Sequence, residues 1–386
     1  MISLRPLDQA YIKRHNIESL LSMLERCQPV SRSRLAQLTE MSSASVTRFT
    51  GALTALGLVN ETTASDAAGR GRRAVNLRTA PDGMYTLGCH FDTHSLRLCL
   101  MDFSNRIRGV REIVLSPSDL KPERLAEIAA EQAAHLKPAA ADRLRGAGVS
   151  VSGRIDNRTN RVSESRAFEW FNMDLAAPFS QALGLPVLVE NDVRACLTWE
   201  GMRMGMLDKD QDCAYLYLGR AGIGFSNSVG GRIVRGLNNS AGEIEEVFMN
   251  MNDRLDDHLR EVSLVTKARR FSPSVSSIGD ILKAHRMGLT WAKLLMDDFI
   301  GHLNILLQLI RAMLDPHCLI LGGDMTDALR TMPGLLPEGQ FSFGELFEDS
   351  CARGAAVIAM RSALHTCLEA AMESPGAPPE EGGDDQ

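Results

Sequence analysis

The sequence has no long apolar run, no closely spaced cysteines and no apolar leader segment. A membrane span needs roughly 18 or more consecutive apolar residues, and no stretch approaches that, so no membrane partner is expected. The opening MISLRPLDQAYIKRHN lacks the apolar core of a secretory signal, which points to the cytoplasm. Eight cysteines stand at 27, 89, 99, 196, 213, 318, 351 and 367, and no two have the short spacing of a zinc ribbon or a dithiol redox motif. Scattered, reduced thiols are the expectation. What is present is ordinary for a globular chain: 386 residues, 44% hydrophobic and 23% charged. That length accommodates two or three domains and a sizeable core without disulfides or metals.

Charge is distributed unevenly. Residues 1–80 carry 11 Lys and Arg against 6 Asp and Glu, whereas residues 81–386 carry 31 against 42. A basic module on an acidic body suggests a polyanionic partner for the first 80 residues.

That module reads as three short helices. Ile17, Leu20, Leu21 and Leu24 recur at helical spacing, and Pro29 ends the run. Ser31 can cap a helix from Arg32 to Thr39, and Ser42 one from Ser43 to about Leu56, with Gly57 behind it. Helix, short turn and helix is the helix-turn-helix pattern. Two short strands, Leu58–Glu61 and Ala74–Leu77, flank a polar glycine-bearing stretch and suggest a wing.

On a helical wheel, Val46, Phe49, Leu53 and Leu56 share one face of the third helix. Ala44, Thr47, Arg48 and Gly51 project from the other. Small residues allow deep entry into a major groove, where an arginine can bind guanine bidentately. Ser42 and Ser43 suit phosphate contacts at the helix start. Arg70, Arg72 and Arg73 in GRGRR can enter a minor groove or clamp phosphates. The alternatives are a protein-interaction module and a solvated loop.

After a Pro- and Gly-bearing linker at 78–84, strands alternate with helices, so the body is α/β. Expected strands include Tyr85–Asp102, Ile107–Leu115, Gly146–Ser152, Pro186–Glu190, Cys213–Leu218 and Cys318–Leu321. Expected helices include Pro122–Leu136, Val193–Met204 and the apolar Leu289–Leu314, read as core or subunit packing. The strand LVEND delivers Asn191 and Asp192, a carboxylate that can bind or deprotonate a sugar hydroxyl, or simply start a helix. Gly219, Gly222 and Gly224 form either a phosphate cradle or a tight hairpin. Residues 374–386 are Pro, Gly and acid, and are expected to be a disordered acidic tail.

The segments SSASVTRFTGALTALGLV, GRGRRAVNL, GVSVSGRID, GLPVLVENDVRA, NSAGEIEE and LDPHCLILGGD together resemble the ROK family (repressors, open reading frames and sugar kinases), in its winged helix-turn-helix repressor branch. The resemblance spans roughly residues 12–370. It implies a body of two actin-like/ribonuclease-H-like lobes around a sugar cleft. The expected divisions are a head at 1–80, lobe 1 at 81–190 completed by a helix at about 354–372, and lobe 2 at 191–353.

By resemblance, Asn191 and Asp192 match the family's Asn-Asp pair, and Glu243 its sugar-contacting Glu. Glu246 stands where the family has a His that serves zinc and sugar. Three family cysteines have no counterpart in residues 247–265, so neither a structural metal nor a cofactor is expected. Arg166 and Arg260 stand near positions of an expected Asn and Glu. The family's Asp-x-Gly-Gly-Thr phosphate loop is here His90-Phe91-Asp92-Thr93-His94. Without its glycines, backbone amides are kept from close approach to a phosphate, and no kinase activity is expected. The functional expectation is a DNA-binding regulator, acting on an operator as a homodimer or dimer of dimers. Its effector is a neutral sugar or an acidic or phosphorylated derivative, unless no small ligand exists. Rival readings are a sugar kinase fused to a DNA-binding head and a regulator sensing a protein partner.

Overall fold

A computed structural model describes residues 9–63, 75–136, 141–209, 211–250, 253–332, 334–336 and 341–373. The chain opens with helices α1 (Gln9–Cys27), α2 (Arg32–Thr39) and α3 (Ser43–Ala55). The first is longer than expected, at 19 residues. Its predicted apolar stripe, Ile17, Leu20, Leu21 and Leu24, is buried, together with Leu35 of α2 and Val46, Phe49 and Leu53 of α3. Ser31 and Ser42 cap α2 and α3 by accepting from the amides of Arg34 and Ser45. Strand Val75–Thr79 pairs antiparallel with both Val59–Thr63 and Val30–Ser31. The sequence between the first two, with Arg70, Arg72 and Arg73, lies outside the described residues.

Residues 78–84, read as a linker, form a tight connection. The amide of Ala80 donates to the Leu58 carbonyl at 2.8 Å. Gln28 Oε1 accepts from the amide and hydroxyl of Thr79, and Met84 is buried.

Among the described residues, the body holds two five-stranded sheets. In the first, the strand order is Val187–Asn191, Leu144–Val151, Tyr85–Phe91, Ser95–Asp102 and Ile107–Val114, parallel over the first three and antiparallel beyond. A satellite sheet of Arg154–Asp156, Arg161–Ser165 and Trp170–Met173 follows. Helices α4 (Pro122–Leu136) and α5 (Ala176–Leu183) bury Leu125, Ala129 and Phe179 in a core shared with this sheet.

The second sheet runs Arg232–Ile233, Ile223–Val229, Cys213–Leu218, Cys318–Gly322 and Ser342–Phe343. Gly219–Gly222 turns a tight hairpin, with the Gly219 amide bonded to the Gly222 carbonyl at 3.0 Å and Leu218 opposite Ile223. Helix α6 (Asp192–Arg203) starts one residue earlier than expected. Around the second sheet lie α7 (Asp256–Leu259), α8 (Glu261–Arg269), α9 (Ile278–Arg286), α10 (Thr290–Leu314) and α11 (Asp324–Arg330). Helix α10 buries Met296, Phe299, Leu303, Leu306, Leu307 and Ile310 in this core, so the core reading of that helix holds for one face.

Helix α12 (Phe347–Glu373) begins about seven residues before the predicted C-terminal helix and does more than complete one lobe. Its middle lies on the first sheet and on α6 at backbone contact. A Cβ on Gly88 or Gly148 would collide with the carbonyl of Ala352 or Ala355, and one on Gly354 with the carbonyl of Ala195. Glycine is needed there for proximity. The far end of α12 places Met360, Ala363, Leu364 and Leu368 in the same core as Ile17, Leu20, Phe49 and Leu58.

Candidate functional site

The outward face of α3 agrees with the wheel. Ser42, Ser43, Ala44, Thr47, Arg48 and Gly51 are all exposed. The Arg48 guanidinium lies 5.1 Å from the centroid of the Phe49 ring. The Ser42 hydroxyl is engaged in capping, accepting from the Ser45 amide and donating to the Ser45 hydroxyl. At Gly51, an added Cβ would meet nothing within 4 Å. The surface is small and open.

The second site is a cleft of about 580 Å³. Its walls come from the end of strand Tyr85–Phe91, the satellite sheet, the start of α6, the Leu218–Ile223 hairpin, the segment before and including Ile244–Glu246, and the first turn of α12. Asn191, Asp192, Glu243 and Glu246, the four residues expected at a ligand site, all line it.

Their local roles differ. Asn191 Oδ1 caps α6 by accepting from the Arg194 amide, and its Nδ2 donates to the Gly153 carbonyl and to Asp192. The helix-start reading of Asn191 is therefore met. Asp192 Oδ1 also accepts from the Val193 amide at 2.8 Å. Burial pushes the Asp192 carboxyl up to about 6, partly offset by these backbone bonds. Burial, and then the charge of Glu245, push Glu243 up to about 7.

Glu246 is held by Arg166, which spans from the satellite sheet to Glu245 at 3.2 Å and Glu246 at 2.9 Å. Arg154 pairs with Glu164 and approaches Glu246 at 4.0 Å. Arg260, in contrast, turns to Asp256 and Asp257. Two arginines of the cleft, Arg154 and Arg166, are thus paired with carboxylates Glu164, Glu245 and Glu246 of the same cleft.

Sequence reading missed the support beneath these groups. Glu190, buried next to Asn191, pairs with Arg235 and lies 3.8 Å from Arg194. Arg194 is itself buried and donates to the carbonyls of Asn239 and Ala241. This pins the segment leading to Glu243. The heptapeptide VENDVRA held both charges, but Glu190 lies near the end of a strand and Arg194 in the first turn of α6, so their pairing follows from the strand-to-helix turn and not from helical spacing.

At the opposite wall, His90 is buried and burial lowers it to about 4. Asp92 Oδ1 accepts from the amides of His94 and Ser95 at 2.6 Å. Tyr217 and Phe347 pack with ring centroids 4.2 Å apart. The Tyr217 ring also occupies the space a Cβ would need at Gly219.

A head with an exposed helix on a two-sheet body around an acid-rich cleft defines the class of protein. The ROK family model matches residues 86–338, and the chain belongs to the ROK family. It is 26% identical over 317 residues to a transcriptional regulator of Mycobacterium tuberculosis, covering 76% of this chain and 71% of that one. It is 23% identical over 248 residues to the xylose repressor of Bacillus subtilis, covering 64% of this chain and 63% of the repressor's length. Among solved structures, a ROK family transcriptional regulator homologous to the MLC protein of E. coli superposes with a TM-score of 0.75 at 19% identity, covering 94% and 99% of the two chains. A ROK family glucokinase from Streptomyces griseus, solved with glucose and AMPPNP, superposes with a TM-score of 0.57 at 20% identity over 71% and 99%. The fold is thus a winged helix-turn-helix head on an actin-like ROK body. No helix among the described residues is long and apolar enough to cross a membrane.

Proposed function

We propose that this chain is a DNA-binding transcriptional regulator, a repressor whose operator affinity falls when a sugar closes the cleft. The observation that carries this reading is α12. Its first turn lines the cleft through Phe347 and Glu348. One turn on, Cys351 Sγ lies 3.4 Å from the Asp192 carbonyl oxygen. Its last turns form part of the head's core, and His365 Nε2 lies 3.0 Å from Glu18 of α1. A rigid helix packed at both ends converts movement of the lobes into movement of the head.

The regulators among the relatives support the DNA-binding role. So does the exposed face of Ala44, Thr47, Arg48 and Gly51; Ser42, Ser43 and, from the sequence alone, Arg70, Arg72 and Arg73 are proposed as phosphate contacts. On this reading residues 1–80 are the reading head, and 81–190 and 191–353 the two lobes. Two half-sites call for two heads. Helix α10 supports a homodimer, because its outer face leaves Leu294, Ile305, Leu309 and Met313 exposed.

A neutral sugar fits better than an anionic one. The acidic groups Asp192, Glu243, Glu245 and Glu246 converge on the cleft, while Arg154 and Arg166 are already paired. Carboxylates accept from sugar hydroxyls and repel phosphate. Asp92 is committed to its own turn, and Tyr217 crowds the glycine hairpin, which supports a sugar-binding cleft without phosphoryl transfer.

The test is a genomic DNA selection with the full chain and with Gly51→Glu, repeated in the presence of neutral sugars. Enrichment of one palindromic site by the parent alone, relieved by a sugar, is expected. ADP release with a hexose, abolished by Asp192→Ala, would place the fused-kinase reading first. Enrichment by both proteins would remove α3 from the interface.

A further inference from the structure

Outside the residues that line the cleft and the reading face of α3, α7 and α10 bring two imidazoles and a carboxylate together. The rings of His258 and His302 stack, with centroids 3.8 Å apart and 21° between their planes. Asp298 reaches both, with Oδ2 3.4 Å from His258 Nδ1 and Oδ1 3.4 Å from His302 Nδ1. One donor atom from each of the three residues lies within 4.8 Å of the others. The imidazoles are largely enclosed, with side-chain exposures of 15% and 17%, while Asp298 at 42% leaves a way in.

The surrounding contacts prepare both rings as ligands. His302 Nδ1 lies 2.8 Å from the main-chain carbonyl oxygen of Asp298, a group that only accepts. The neutral ring therefore carries its proton on Nδ1, the atom that approaches Asp298, and keeps its free lone pair on Nε2. His258 Nε2 lies 2.7 Å from Asp253 Oδ1, which also accepts. The proton of that ring belongs on Nε2, and the Nδ1 lone pair faces the Asp298 carboxylate. A lone pair directed at a carboxylate oxygen is repulsive unless a cation stands between them. A carboxylate or carbonyl behind each imidazole is how protein metal sites orient their histidines. The alternatives are a proton on His258 and the Lys267 ammonium, 3.6 Å from Asp298 Oδ2.

We propose that His258, Asp298 and His302 bind one divalent transition-metal ion, with Asp253 holding His258 in its ligand tautomer. Two imidazole nitrogens and one carboxylate oxygen match zinc, cobalt or nickel. Magnesium and calcium prefer an all-oxygen shell. Three protein ligands leave a position for water. Asp298 and His302 are four residues apart on one face of α10, and His258 arrives from a separate helix, so the ion staples the two. Its neighbour Asp256 accepts from the Ile223 amide in the cleft wall at 2.9 Å, so the staple would stiffen that wall. The proposal departs from the expectation of no metal, which rested on the missing cysteines of residues 247–265, the stretch that supplies His258.

The full-length protein, stripped with a chelator, is titrated with Co²⁺ by visible absorption and with Zn²⁺ by calorimetry. One equivalent per chain is expected, with a d–d absorption band and a Zn²⁺-dependent rise in melting temperature. Asp298→Asn, an exposed isosteric change that keeps the fold, and His302→Gln should each weaken binding at least about tenfold, and Asp253→Asn about 10–100-fold. His135→Gln, at an exposed histidine elsewhere, should leave it unchanged. No saturable binding by the parent protein would overturn the proposal. So would binding that Asp298→Asn leaves intact, which would place the ion elsewhere.

Discussion

The outer face of α3 and the wall of the cleft are both polar, but they are finished differently. On α3 the projecting residues are small and exposed, and Arg48 only leans on Phe49. In the cleft, Glu245 and Glu246 are gripped by Arg166, Asn191 caps a helix, and Glu190 is buried against Arg194 and Arg235. A surface that reads a large polyanion must stay open before the partner arrives. A cleft that encloses a small ligand must satisfy its own charges in the meantime, because unpaired buried charge is costly. On the proposed function, ligand binding there is an exchange of internal partners, which suits the cleft to act as a switch.

Gly51→Glu should break the open surface most completely. The side chain has space in the free protein, and replacing helical glycine costs no stability. Operator affinity should fall toward the non-specific level, by about 10³-fold or more, with the melting temperature unchanged or higher. Competition binding against random-sequence DNA measures it, and undiminished discrimination would refute the open-face assignment.

Leu364→Ala attacks the joint between the two regions. Truncating a buried leucine should cost about 2–4 kcal/mol in a urea melt, and a folded variant should release DNA poorly in response to sugar. Full sugar response would show that α12 does not carry the signal.

Arg48→Ala should cost about 1–3 kcal/mol at the operator and relax one base preference. A binding-site selection repeated with the variant reads this directly. An unchanged preference at every base would show that Arg48 is not a reading residue.

Asp192→Asn probes the cleft through pH. The folded carboxyl is raised from 3.8 to about 6 by burial. The folded state thus holds its proton more tightly than the unfolded state. This stabilises below about pH 4 and is lost as pH rises through 6. The variant should match the parent near pH 4 and exceed it above pH 6 by on the order of 1–3 kcal/mol. Urea midpoints at several pH values decide it, and a gap independent of pH would remove burial as the cause.

Arg166→Ala should have the smallest effect on stability, about 0–1 kcal/mol, because Arg166 is 53% exposed. The interest lies in the cleft, where Glu245 and Glu246 lose their internal partner. If the pair is a latch, sugar affinity by calorimetry should change while the melting temperature barely moves. A large loss of stability would make Arg166 a structural strut.

The head was legible because its information is local. A wheel over residues 43–56 separates Val46, Phe49 and Leu53 from Ala44, Thr47, Arg48 and Gly51, and the folded burial follows it. Ser31 and Ser42 act as caps because a hydroxyl three residues before a free amide has few other options. The cleft was legible only in part. Asp192 could be placed at the end of a strand, but Arg166 and its partners are about 80 residues apart. At Gly219–Gly224 the spacing left a phosphate cradle and a tight hairpin both open, because only the strand before it, Cys213–Leu218, was legible.

The sequence by itself determined the α/β class, the two-part charge layout, the outward face of α3 and the capping residues of the head. Each is written within one element or one short motif, where period and chemistry act directly. Tertiary structure alone decided that α12 joins the cleft to the head. It also decided that Arg166 closes on Glu245 and Glu246, and that His258 meets Asp298 and His302. Those contacts depend on how whole helices and sheets pack, and packing is settled by the shape of the shared core, which no local pattern records.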